Sequence, residues 1–331
     1  MSSQSSVIDD LDLVSRLFQQ DSYLSFSLDE VLSSLNHRSV RDLAWVIGTP
    51  SILSQDLSDE LPADDFYMKM LNQGLPILAT LDKNPKALDD FLARSKNKRL
   101  GERFERFWQF WLHACKGWSV VASDYQMNNS TRTIGAFDLL IQEQEKMGLS
   151  HWELAVKFYL NTGAGSRMAD WHGPNKVDRL DKKINRMMEH QLKLSRYPSV
   201  KQQLVDKDWN IKRTKAIVKG RLFWNSRGNK HQLPNWVNQY ADRGFWCTAT
   251  EFESIQQRDQ LEWFFLEKDF WLSPVLGDDL KSLKALSDNE LMKIPDLIRQ
   301  AFHIVGCDLE TQREVKRGFL VPDNWLDSIE D

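Results

Sequence analysis

The pattern of apolar and polar residues predicts helices in the first third of the chain. Apolar positions keep helical spacing over residues 11–18 and again over 40–47, and more short helices are expected between residues 61 and 92. Residues 100–115 predict a longer helix with one aromatic face, which Gly117 ends in the position of a C-cap. No catalytic spacing occurs before this helix, so these residues are interpreted as a packing or partner-binding layer.

The middle of the chain changes to strand-like patterns. Residues 118–126, 132–141 and 151–160 read as three strands, with a polar turn over 142–150. An amphipathic helix is expected over 178–194 and a fourth strand over 216–224. The short connections favour an antiparallel meander, so we predict an α/β core with a mixed central sheet.

The C-terminal part is expected to return to helix. Residues 261–272 and 296–305 carry the apolar runs that support this expectation. We therefore divide the chain into a helical N-terminal region (1–97), a core (98–227) and a mainly helical C-terminal region (228–331).

The composition is ordinary for a globular protein. The 331 residues are 41% hydrophobic and 27% charged, which excludes wholesale disorder. Neither a transmembrane run nor a secretory signal is recognisable, so no membrane association is expected. Three widely separated cysteines form neither a disulfide framework nor a zinc pattern, which favours a reducing, cytoplasmic location.

The charge is unevenly distributed. Residues 171–230 hold 16 Lys or Arg against 5 Asp or Glu, which is a net charge of +11. Because the whole chain has a net charge of −4, the rest of the chain carries −15. Such a block is either a footprint for a polyanion or a solvated helix face followed by a basic loop. In the helix, the cationic positions that share one sector are candidates for contacts with a nucleic-acid backbone: Lys183, Arg186, His190 and Lys193.

A loop at residues 171–175 precedes this helix. His172 in it is positioned to contact phosphate or to hold an attacking water. The alternative is that the Gly-Pro pair after it only makes a turn.

Three charged residues are expected on one face of the predicted hairpin. Alternation along a strand puts Glu153, Ala155 and Lys157 on the same face, and pairing sets Asp138 opposite one of them. Two carboxylates at cross-strand distance suit Mg²⁺ (or Mn²⁺), and a nearby lysine can stabilise developing negative charge, which is the chemistry of phosphodiester hydrolysis. The alternative is a solvated strand edge with a surface ion pair of ~0–1 kcal/mol.

The order helix, three strands, helix, strand resembles the core of the PD-(D/E)XK (restriction-endonuclease-like) superfamily, and in particular a little-characterised bacterial domain family placed in it. The resemblance runs through nearly the whole chain, with the nuclease-like core near 98–227. Four stretches carry it: residues 100–105 (LGERFE), 135–138 (GAFD), 151–157 (HWELAVK) and 171–175 (WHGPN).

The resemblance implies roles for individual residues. Asp138 matches the metal-binding Asp of the superfamily, Lys157 matches its Lys, and Glu105 matches an acidic residue of the preceding helix. The chain departs from the pattern at Ala155, where the second acid is expected. Either Glu153 takes over that role, or Glu105 completes the site, or the site is degenerate.

These observations lead to competing functional hypotheses. The first is a Mg²⁺-dependent nuclease with Asp138 and Glu153 as metal ligands and Lys157 and Glu105 in catalysis. The second is a catalytically inactive nucleic-acid-binding or scaffold protein that retains the nuclease-like fold, which Ala155 favours. A third is a protein that binds a protein partner through its helical flanks.

Overall fold

The computed structural model describes residues 26–95, 99–115, 117–129, 132–143, 148–228, 233–286 and 300–328. Within these ranges, six α-helices precede the sheet. They are α1 (Leu28–Ser34), α2 (Arg38–Gly48), α3 (Asp64–Gln73), α4 (Leu75–Lys83), α5 (Lys86–Ala93) and α6 (Leu100–Ala114).

Local sequence signals explain where several of these helices begin. Ser27 and Glu30 form a reciprocal capping box at the start of α1, and Pro76 stands in the first turn of α4. Helix α2 is buried along its whole length after Arg38 and lies at the centre of the helical layer. The helices predicted at 40–47, 61–92 and 100–115 are thus confirmed, whereas the one at 11–18 lies outside the described residues.

Ten strands form a single mixed sheet in the described part of the chain, in the order β1-β2-β3-β5-β6-β10-β9-β7-β8, with β4 paired to β3. The strands are β1 (Trp118–Asn128), β2 (Thr133–Glu143), β3 (Leu149–Asn161), β4 (Trp171–His172), β5 (Ile211–Asn225), β6 (Arg243–Thr248), β7 (Glu262–Phe265), β8 (Lys284–Ala285), β9 (Phe302–Asp308) and β10 (Arg313–Val321). The pairs β3–β5, β5–β6 and β6–β10 are parallel, and the other pairs are antiparallel.

Among the residues that the structure describes, three further α-helices accompany the sheet. They are α7 (Leu180–Arg186), which continues as a π-helix over Met187–Gln191, α8 (Pro198–Asp206) and α9 (Ala249–Asp259). The predicted α/β class, the three-strand meander and the strand over 216–224 are confirmed. The helix predicted over 178–194 is shorter than expected because its second half widens into the π-turn.

The two faces of β3 pack into different cores, as the alternation predicted. Trp152, Leu154 and Phe158 pack with α2 and α6 on one face. Ala155 and Tyr159 pack on the other face, against α7 and its π-turn. The candidate site lies on this second face.

The C-terminal region is not mainly helical, which corrects the prediction. Residues 262–265 form β7 instead of a helix, and the segment expected to be helical over 296–305 enters β9 at Phe302, with residues 296–299 outside the described chain. Trp263 and Phe264 pack into two different clusters on opposite faces of β7. A strand buried on both faces has a continuous apolar run, which hydrophobic periodicity does not separate from a helix. The sheet therefore continues past the boundary set at residue 228.

No helix among the described residues has the length and apolar character that a membrane span requires. Cys115, Cys247 and Cys307 are free thiols. Burial raises the pKa of Cys115 to about 11 and that of Cys307 to about 12, so neither is a thiolate nucleophile at neutral pH.

Candidate functional site

Asp138 stands where β2 separates from β3. The ladder between these strands runs from Gln142, paired with Leu149, to Leu139, paired with Trp152, and one step further in this register Asp138 is opposite Glu153. Instead of continuing the backbone ladder, the Asp138 carboxylate accepts a hydrogen bond of 2.8 Å from the N–H of Leu154. The side chain is thereby held between the strands.

The face of the sheet to which successive side chains of β2 point changes at Asp138. Phe137 and Leu140 pack in one cluster, with Leu194, whereas Leu139 packs in the other cluster, with Trp152. Regular alternation would put positions 137 and 139 on the same face. The alternation of side chains along β2 is therefore interrupted at Asp138.

Glu153 is fully buried and has polar partners at both oxygens. Its Oε1 is 2.8 Å from His151 Nε2, and its Oε2 accepts a 2.5 Å hydrogen bond from Gln191 Nε2. Gln191 is the last residue of the π-turn, and single π-turns inside helices occur frequently at functional sites. Burial lowers the pKa of His151 to about 4, so the imidazole is neutral at neutral pH.

The carboxyl groups of Asp138 and Glu153 contact each other. They interact closely enough for each to influence the pKa of the other. Burial, followed by the charge of Glu153, raises the pKa of Asp138 to about 7. Burial likewise raises the pKa of Glu153 to about 7. Such a pair titrates as a unit near neutral pH.

Glu105 on α6 and Lys183 on α7 complete the cluster. Burial and the charge of Asp138 raise the pKa of Glu105 to about 7, and Lys183 acts in the opposite direction. Burial and then the charge of Lys157 lower the pKa of Lys183, whereas Asp138 and Glu153 raise it. Lys183 also donates to Gln191 Oε1 at 3.3 Å, so the amide of Gln191 links its ammonium to Glu153. We call Glu105, Asp138, Glu153 and Lys183 the carboxylate cluster.

Lys157 borders the carboxylate cluster without pointing its ammonium at the carboxyls. Its Nζ forms an ion pair with Asp178, and both side chains are partly exposed. Ala155, between Glu153 and Lys157 on the same face, packs among Leu180 and Ile184. The position where a second acid was expected is therefore part of the apolar core under α7.

A divalent cation fits the two facing carboxyls only in part. Mg²⁺ needs one or two carboxylates plus waters and substrate oxygens, which Asp138 and Glu153 can supply. Both oxygens of Glu153 and one of Asp138, however, are hydrogen-bonded within the protein. Within the described ranges, no group of three or more His, Cys, Asp or Glu side chains is placed to hold a metal. The residues fit a two-carboxylate site in which Glu153 exchanges a protein partner for the ion.

The residues predicted to contact nucleic acid differ in their surroundings. Arg186 and His190 are exposed on α7 and its π-turn, and Lys193 forms an ion pair with Glu189. His172 is buried in β4, where it pairs with Leu160 and its Nδ1 lies 3.0 Å from Thr162 Oγ1. The expectation of a loop at His172 is wrong, because the residue closes a short strand against β3.

Three residues that the sequence did not assign to the carboxylate cluster lie in it or beside it. Lys183 was expected at a backbone-binding face, and neither Gln191 nor His151 was singled out. The spacing of Glu153 and His151, two residues apart on one strand face, was a usable signal for His151. Gln191 had none, because its position depends on the π-turn.

Comparison with known proteins finds a matching family model of unknown function. Residues 41–321 match the family model described as a domain of unknown function (DUF1853). No curated protein and no solved structure matches the chain.

Proposed function

We propose, for a chain that belongs to the DUF1853 family, a Mg²⁺-dependent (or Mn²⁺-dependent) nuclease of the PD-(D/E)XK type that hydrolyses phosphodiester bonds in DNA or RNA. The observation that carries the proposal is the convergence of Asp138, Glu153, Glu105 and Lys183, which come from two strands and two helices. The order α6, β1, β2, β3, α7, β5 supports it, since this is the element order expected of that core.

Asp138 and Glu153 are the proposed metal ligands. The ion supplies a Lewis acid that neutralises phosphate oxygens and lowers the pKa of a bound water. The backbone N–H of Leu154 orients Asp138, and the amide of Gln191 orients Glu153. Burial raises the pKa of both carboxyls to about 7, so binding of a cation to their ionised forms would release protons near neutral pH.

Glu105 and the two lysines have separate proposed roles. A carboxyl with a pKa of about 7 is suited to accept the proton of an attacking water, which Glu105 does while a new P–O bond forms and the scissile P–O bond breaks. Lys183 compensates the charge of the carboxyls in the resting protein. Lys157, released from Asp178, stabilises the negative charge that develops on the phosphate and leaving oxygen.

The second candidate function is a nucleic-acid-binding or scaffold protein without catalysis. Two observations favour it. Ala155 occupies the usual acid position inside an apolar cluster, and both oxygens of Glu153 are bonded within the protein.

A cleavage assay separates the two functions. Linear duplex DNA, branched DNA, single-stranded DNA and structured RNA are incubated with wild type and Asp138→Asn, each with Mg²⁺, Mn²⁺ or EDTA. The nuclease proposal expects metal-dependent products from wild type and none from the variant. Calorimetry with Mg²⁺ alone on both proteins adds a readout that needs no substrate. Equal activity in the variant, or absence of both cleavage and Mg²⁺ binding in a folded wild type, overturns the proposal.

A further inference from the structure

A basic groove lies beside the carboxylate cluster. It has a volume of about 630 Å³ and is enclosed by the turn at Leu194–Arg196, the end of α8 and the first residues of β5. Its lining carries four cationic side chains and one carboxylate, which are Arg196, Lys201, Lys212, Arg213 and Asp208. This excess of positive charge suits a polyanion.

Three of these cations are available to a ligand. Arg196, Lys201 and Lys212 are exposed, and no ion pair engages them within the part of the chain that the structure describes. Lys193 and Lys215, their neighbours in sequence, are instead neutralised by Glu189 and Glu143. The basic block of the sequence therefore contributes three free cations to this groove, while Lys182 and Arg186 are exposed outside it.

The groove also has an aromatic and apolar wall. Trp209 is half-buried, with its ring packed edge-to-face on Tyr125 at 4.9 Å between centroids. Lys207 Nζ lies 5.2 Å from the centre of the Trp209 ring. Val205, on the same lining, is 73% exposed. An indole and an exposed aliphatic surface beside cations are suited to unpaired bases next to phosphates.

The groove lies near the carboxylate cluster along the ladder between β3 and β5. Thr214 lines it and is paired with His151 in the ladder between β3 and β5. His151 is two residues from Glu153, a distance of about 7 Å along a strand. The groove is thus a neighbour of the cluster in the sheet, although none of the four cluster residues lines it.

We propose that this groove binds single-stranded nucleic acid, with Arg196, Lys201 and Lys212 contacting the backbone and Trp209 stacking on a base. The inference rests on the proposed function, which identifies the partner as nucleic acid. It adds that the substrate is single-stranded and that it approaches the site along this groove. Double-stranded nucleic acid is the competing ligand.

Binding is measured in EDTA, so that no cleavage is needed, by fluorescence anisotropy of labelled 20-nucleotide DNA and RNA strands and of their duplexes. The test variant is Arg196→Glu/Lys201→Glu/Lys212→Glu. A matched control, Lys83→Glu/Arg94→Glu/Lys268→Glu, makes the same change in net charge at exposed positions that have no ion pair among the described residues. Circular dichroism checks that both fold.

The groove variant is expected to bind single strands at least 100-fold more weakly than wild type, whereas the control changes less than threefold. The slope of log affinity against log salt falls by about 2 in the groove variant, since each phosphate contact on a single strand contributes about 0.7. Trp209→Leu, which keeps apolar bulk against Tyr125 but lacks the indole face, weakens binding about tenfold.

Several results overturn the inference. They are unchanged binding by the groove variant, an equal loss in the control, or tighter binding of duplex than of single strands by wild type. A different result overturns only the nuclease proposal. In that case wild type binds single strands through the groove but cleaves none of them with Mg²⁺. The opposite result is a groove variant that cleaves nucleic acid with Mg²⁺ as well as wild type does. That result supports the nuclease proposal and overturns the inference about the groove.

Discussion

The carboxylate of Asp138 accepts a hydrogen bond from the backbone N–H of Leu154, across the point where the ladder between β2 and β3 ends. A side chain here takes the place of a main-chain acceptor. This bond holds Asp138 against Glu153, and burial makes the ionised pair costly. The position of one strand end therefore determines the electrostatics of the carboxylate cluster.

Asp138→Asn is expected to stabilise the metal-free protein at pH 8 and to have a smaller effect at pH 5. The pKa of Asp138 is raised to about 7, so the folded state binds more protons than the unfolded state between about pH 4 and 7. Stability is therefore lost as the pH rises through this window. Asn removes the charge and keeps an acceptor for Leu154. Because one pKa unit is worth about 1.4 kcal/mol, the rise from 3.8 to about 7 sets an upper limit of about 4 kcal/mol on the gain at pH 8.

Urea unfolding at both pH values measures this difference. Asp138→Ala is the control, because it removes the charge together with the acceptor and leaves the buried N–H of Leu154 without its partner, at a cost of about 1–3 kcal/mol. A gain for Asp138→Asn that is equal at pH 5 and pH 8 would show that ionisation of the buried Asp138 carboxyl is not its source.

The strand faces of the site were predictable from the sequence, since alternation on β3 separates Glu153, Ala155 and Lys157 from the apolar residues between them. Burial of those apolar residues against α6 is what fixes the facing. The position of Lys183 and Gln191 was not predictable in this way. Both come from a helix beyond β4, and the π-turn that places Gln191 has no spacing signal in the sequence.

The C-terminal strands were also not predicted, because the sequence carries no periodic signal there. Trp263 and Phe264 are buried on opposite faces of β7, so neither period 2 nor period 3.6 is visible in this segment. Pairing of β7 with β9, which lies some forty residues further along the chain, decides the outcome. Tertiary contacts of this kind outweigh local propensity.

Lys219→Met is expected to flatten the rise of stability between pH 7 and 10. Lys219 is fully buried, with its Nζ 3.2 Å from the centre of the Tyr67 ring and hydrogen-bonded to the carbonyl of Thr49. Burial lowers its pKa well below 10.5. The unfolded state therefore binds the extra proton in this window, so wild-type stability increases with pH. The variant lacks this contribution.

Thermal unfolding at pH 7, 8.5 and 10 compares the two proteins, and Lys83→Met at an exposed site serves as the control. The midpoint of Lys219→Met minus that of wild type should become more negative as the pH rises. If this difference is independent of pH, Lys219 keeps its proton in the folded protein.

Gly220→Ala is expected to unfold the protein or to cost about 3 kcal/mol or more, a size that signals a severe local conflict. Gly220 has a φ of +141° and pairs with Lys157 in the parallel ladder, and an added Cβ would lie 1.7 Å from the Lys157 carbonyl oxygen. Gly101→Ala is the contrasting substitution, because nothing lies within 4 Å of its Cβ position in α6. There alanine should stabilise the helix by about 0.5–1 kcal/mol. Chemical denaturation of both variants tests the pair, and a mild effect at Gly220 would contradict the close approach of β3 and β5.

The two lysines beside the carboxylate cluster should respond differently to removal of their charge. Lys183 lies among the carboxyls and lowers the pKa of Glu153, so Lys183→Met raises the pKa of that carboxyl and shifts Mg²⁺ binding to higher pH. Lys157 is paired with Asp178 in the resting protein, so Lys157→Met leaves Mg²⁺ binding within about threefold of wild type. Its proposed role belongs to the transition state, where loss of one stabilising charge costs about 10²–10³ in kcat. Calorimetry with Mg²⁺ from pH 6 to 9, together with single-turnover cleavage of the best substrate, measures both effects. A fall in turnover for Lys183→Met that matches that of Lys157→Met at every pH, with Mg²⁺ affinity unchanged, would instead assign the charge-stabilising role to both lysines.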